Sequence, residues 1–90
     1  MNIERKNMLL MALFPYAAGG YRKAVRNLAD ARGVNWFASD ISEILHNLMA
    51  SIIRHRSTHY DECVCKAGKD RARFYIQGAV SLVMKEFKGN

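Results

Sequence analysis

Ile41, Ile44, Leu45, Leu48, Met49, Ile52 and Ile53 recur at three- and four-residue intervals, and no other feature constrains the chain as strongly. That spacing places all seven on one face of an α-helix, whereas a strand would scatter them over both surfaces of a sheet. An apolar stripe of about three and a half turns is not stable in water, so the remaining residues must fold to cover it. The start of the helix is marked as well. Asp40 with Glu43 three residues on has the form of a capping box, and Ser39 is the alternative cap.

The segments on the N-terminal side offer two helices to do the covering. Residues 3 to 14 form an apolar-rich helix stopped by Pro15, whose ring disfavours helical geometry at Phe14 and removes a backbone donor. Gly19 and Gly20 then reset the chain direction. A second helix runs from about Tyr21 to Arg32, with Tyr21, Val25, Leu28 and Ala29 on one side and Arg22, Lys23 and Arg26 on the other. Gly33 ends it, as a glycine after the last turn commonly does.

Residues 57 to 77 admit two readings. In one, Thr58 starts a helical stretch and Lys69 to Phe87 is a long helix, since Ala72, Ile76, Ala79, Val80, Val83, Met84 and Phe87 share a face. In the other, Glu62 to Lys66 and Arg71 to Ile76 are the strands of a hairpin over about 62–76, followed by a short last helix. The helical periodicity runs for about four turns and the alternation for only a few residues, which favours the helix. The fold class expected is therefore mainly α, a compact bundle of four helices. A winged helix with the hairpin as its wing is the alternative.

Ninety residues with 50% hydrophobic content suit a single domain spanning residues 1 to 90, with one core. Met8 to Phe14 behind Arg5 and Lys6 mimics a short secretory signal, but an apolar run of about seven residues is at the lower limit of such signals. No stretch approaches the ~20 apolar residues that span a bilayer, so no membrane partner is expected. Cys63 and Cys65, the only cysteines, lie too close together to staple a useful loop. Reduced thiols and a cytoplasmic location follow as the simpler expectation.

Fourteen Lys and Arg residues against eight Asp and Glu residues give a net charge of +6, a field that favours polyanions or acidic protein faces. The segment from Leu28 through Gly33 to Leu45 has the order of residue types of a helix-turn-helix, although its connection is longer than the compact form. On this reading Arg22, Lys23, Arg26, Arg54, Arg56, Arg71 and Arg73 contact phosphates of double-stranded DNA, and Asn47 reaches base edges. Asp40 and Glu43 oppose it, because they stand where such a helix approaches phosphate.

Other chemistry finds little support. His55, His59 and Cys63 would align at i, i+4 and i+8 on a helix, but Cys65 would point elsewhere and the spacing matches no common paired zinc pattern. No bound metal or cofactor is expected. Neither a phosphate-gripping glycine loop nor a set of nucleophile, base and orienting group occurs, so the chain reads as non-enzymatic. Trp36 and Phe37 in a connecting segment either plug the core or mark a partner site. Two functions compete: a DNA-binding regulator, and a phage- or mobile-element-encoded inhibitor or adaptor that docks on a larger host protein. Under either, faces this apolar suit a homodimer.

Overall fold

The central helix forms as its spacing predicts. In the structure, a computed structural model that describes residues 1–89, it is preceded by α1 (Ile3–Leu13) and α2 (Gly19–Ala31) and is itself α3 (Ile41–Ser57). Two helices follow, α4 (Tyr60–Ala67) and α5 (Lys69–Lys88). Leu45, Leu48, Met49, Ile52 and Ile53 of α3 are buried. They share one cluster with Leu10 and Phe14 of the N-terminal segment, Val25 and Ala29 of α2, Trp36, and Met84 and Phe87 of α5. Each large aliphatic or Phe side chain removed from water stabilises the fold by about 1.5–3 kcal/mol, and α3 is the element against which both α2 and α5 pack.

The described residues are all-helical, with no strand among them. The winged-helix alternative is corrected: residues 62–76, proposed as a hairpin, are the body of α4 and the first turns of α5. The apolar residues explain why. Ala72 and Ile76, four residues apart, bury one side of α5 against Tyr60 of α4, a pairing that needs the helical period. The described residues form five helices where four were expected, because Gly68 separates α4 from α5. With φ 86° and ψ 167° it occupies backbone space essentially reserved for glycine. Its N–H closes α4 on the carbonyl of Val64 at 3.0 Å, and its own carbonyl accepts the first bond of α5 from Ala72 at 3.0 Å.

Helix ends differ from expectation in two places. Gly19 and Gly20, read as the break, are the first residues of α2. The break lies at Pro15–Ala18, held by the Arg22 guanidinium, which donates to the carbonyl of Phe14 at 3.1 Å and to that of Ala17. Asp40 is the N-cap of α3, but its side chain makes no capping bond. The side-chain cap occurs instead on α1, where Asn2 Oδ1 accepts from the N–H of Arg5 at 2.9 Å. Gly33 does end α2, at φ 67°. Its N–H bonds to the carbonyl of Asp30 and that of Val34 to Ala29, the paired closure of a Schellman motif.

The two ends of the fold are tied together. The N–H of Tyr16 donates to the carbonyl of Phe87 at 3.0 Å. Tyr21 packs edge-on against the Phe87 ring at 4.9 Å and shares a hydrogen bond with the Ser57 hydroxyl, joining α2 to both α3 and α5.

Candidate binding groove

A cavity of about 530 Å³ opens between α3 and α5. On α3 its wall is His46, Ala50 and Arg54, successive residues of one i, i+4 row. On α5, Ile76, Val80 and Met84 form an apolar floor, and Arg73, Lys85 and Lys88 stand at its edge. The groove thus has four cations around an apolar base, and no carboxylate among its lining residues. Arg73 to Lys88 spans about 22 Å at 1.5 Å per residue.

The Arg54 guanidinium lies 5.5 Å from the centre of the Tyr60 ring, which orients a side chain otherwise free to swing. Burial, and after it the charge of Lys88, holds His46 below the ordinary imidazole value of 6.5. The imidazole is therefore neutral at pH 7, and the positive field there comes from the arginines and lysines. Such a site attracts an anion.

The residues expected to bind nucleic acid are divided by the fold. Arg54 and Arg73 meet in the groove. Arg22, Lys23 and Arg26 line a separate, smaller pocket of about 270 Å³ with Asn7, Met11 and Gly19. Two of these three are already engaged, Arg22 at the break described above and Arg26 through a 2.6 Å bond to Asn7 Oδ1. Asn47 and Arg56 are exposed on α3 and Arg71 on α5, and none of them lines the groove.

Of the aromatic pair expected to meet a partner, only Phe37 is at the surface. Trp36 is buried; its Nε1–H donates to Asp30 Oδ1 at 3.0 Å, and Lys6 Nζ sits 5.2 Å from its ring centre. Of the two roles open to it, Trp36 takes the core one, where Asp30 satisfies its one polar atom. Asp30 also accepts from Lys6 at 2.8 Å. The Lys6 hydrogen bond above all, helped by that from Trp36 and the charges of Lys6 and Arg26, holds the Asp30 carboxyl below its usual range, outweighing burial, the second-strongest influence, which pushes it up.

His55 Nδ1 is 2.9 Å from Asp61, His59 lies 3.8 Å from Glu62, Cys63 is half-buried and Cys65 exposed. Among the described residues, no group of three or more such side chains is placed to hold a metal ion. The described helices also include none long and apolar enough to cross a membrane.

His46, Lys85 and Lys88 were missed in reading the sequence. A signal existed: Arg73, Gln77, Val80, Met84 and Lys88 follow a three-four row beside the buried face of α5, as His46, Ala50 and Arg54 do on α3. No protein-family model, curated protein or solved structure matches this chain.

Proposed function

We propose that this chain is a non-enzymatic binding protein whose α3–α5 groove holds an acidic, amphipathic helical segment of a larger protein. The observation that carries this reading is the combination within the groove: an apolar floor of Ile76, Val80 and Met84 between Arg54, Arg73, Lys85 and Lys88, without an acid. An amphipathic helix docks by burying its apolar face in such a groove, and carboxylates along its margins pair with the four cations. The length suits about four turns of helix. This is the adaptor or inhibitor role, in which the partner's activity changes because a segment of it is sequestered.

Double-stranded DNA fits the same surface less well. Phosphate contact rewards cations on an accessible face and gains nothing from an apolar floor. The α2 arginines that a helix-turn-helix would turn to phosphate are engaged with the protein's own carbonyls and Asn7. Glu43 stands in the first turn of α3, the helix that would have to read the bases.

Fluorescence anisotropy separates the two. A labelled helical peptide of about 15 residues, with Leu and Phe on one face and Asp and Glu at its margins, should bind. Its affinity should fall at least about tenfold, a loss of ~1.4 kcal/mol, in Arg73→Glu/Lys88→Glu and stay unchanged in Lys23→Glu. Failure of the peptide to bind, with a labelled duplex bound at low salt and weakened by Lys23→Glu, would replace this reading with the DNA-binding one.

A further inference from the structure

The outward flank of α5 carries a second surface, independent of the groove and of the function proposed for it. Arg71, Tyr75, Gly78, Leu82 and Glu86 recur at spacings of four, three, four and four, the stripe that faces a partner in paired helices. All five are exposed, and Ala79 beside them is exposed too. Tyr75 and Leu82 are each 65% exposed, so this flank carries apolar area that the chain's own fold leaves uncovered.

We infer that this flank is the interface of an antiparallel two-fold dimer, in which α5 packs on α5 of a second copy about an axis between Gly78 and Ala79. Three observations lead there. First, the stripe is self-complementary under that axis: Tyr75 meets the partner's Leu82, Gly78 meets the partner's Ala79, and Arg71 meets the partner's Glu86. A two-fold contact requires this reciprocity. Second, the charges specify direction. A parallel pair would set Arg71 on Arg71 and Glu86 on Glu86, whereas the antiparallel pair matches opposite signs at both ends. Neither residue has a salt-bridge partner among the described residues. Third, Gly78 sits mid-helix, where glycine is among the poorest helix formers, and the chain's own fold gives no reason for it. A Cβ built at Gly78 would meet nothing within 4 Å. A second helix crossing at that point supplies the reason, since small residues at a crossing let two backbones approach closely.

The interface leaves Arg73, Gln77, Ser81 and Lys88, on the neighbouring side of α5, facing the groove. The dimer accordingly presents two grooves, and loss of one surface does not imply loss of the other.

Sedimentation equilibrium over roughly 1 μM to 1 mM, the range that brackets weak association, tests the inference. The wild-type chain should pass from one to two copies across it. Arg71→Glu alone and Glu86→Arg alone should each weaken the dimer by at least about tenfold, and the double variant should return to within about threefold of wild type. Recovery in the double variant also demonstrates that both substitutions are compatible with folding. Gly78→Leu should remain helical by circular dichroism and lose the dimer. A wild-type chain that stays monomeric up to 1 mM overturns the inference. A dimer of unchanged strength in Gly78→Leu and Arg71→Glu does so as well, because association would then use another face. Failure of the double swap to recover overturns the antiparallel register.

Discussion

The two ends of α5 are held in different ways. Its last turns, through Met84 and Phe87, enter the main cluster with Leu10, Phe14, Val25, Leu45 and Met49. Its first turns rest on a smaller cluster, Tyr60, Ala72 and Ile76, with Cys63, Val64 and Val80 packed against it. The groove runs along both. Its Lys88 end is anchored in the core that organises the whole chain, while its Arg73 end depends on α4, a helix of eight residues. Helices that short have little stability of their own. The α3 wall and the Lys88 end of the α5 wall are therefore fixed by the main core, and the Arg73 end only as well as α4 is.

The sharpest way to break that contrast is to cut each cluster. Phe14→Ala in the main cluster, where the ring is fully buried, should cost about 3–5 kcal/mol, read as a lowered urea midpoint with unchanged slope. Tyr60→Ala should act locally. We expect it to take about 2–3 kcal/mol from the opening of α4, speeding amide exchange around Cys63 to Cys65 roughly a hundredfold, with amides of Leu45 to Ile53 changed less than about tenfold. Equal acceleration in both would mean that the clusters unfold as one unit. Gly68→Ala tests the junction: the backbone at φ 86° and ψ 167° strains any Cβ-bearing residue by about 1–2 kcal/mol, so α4 protection should fall while the main cluster holds.

The smallest effect belongs to His46, at the Lys88 end. Its folded-state value lies below the ordinary 6.5 because burial and Lys88 disfavour the imidazolium. The unfolded chain therefore takes up the proton first, and the contribution to stability is present above pH 6.5 and lost as pH falls through 6.5 toward the folded value. NMR titration should give a midpoint below 6.5, and His46→Gln should remove that part of the pH dependence of unfolding. An acidic peptide in the groove should move the midpoint up, since a nearby carboxylate favours the charged ring.

How much of this was legible in the sequence depended on whether one helix alone carried the information. The α3 stripe is intrinsic to its own spacing, and Pro15 and Gly33 act on the residues beside them, so the helix at 41–57 and the breaks before and after α2 were readable. The long helix after Lys69 was readable for the same reason. The groove was not, because it exists only where the flanks of two helices come side by side, and the spacing on each fixes which residues share a flank but not which flanks meet. The positive charge showed the same gap. Counting arginines in order joined Arg22 and Arg26 to Arg54 and Arg73, whereas the fold gives the first pair hydrogen bonds to its own chain and brings the second pair together in the groove. Whether residues 62–76 formed strands or helices rested on the partners of Ala72 and Ile76, which lie outside the local sequence.

Trp36 has a further consequence as an optical probe. It is the only tryptophan in the chain, buried beside Asp30 and Lys6 and absent from the lining of the groove. Its emission will follow assembly of the main core, and it will be silent to an occupant lying between α3 and α5. A titration watched at the indole band and another watched by a label beside Arg73 therefore separate, in one sample, the melting of the scaffold from the filling of its cleft.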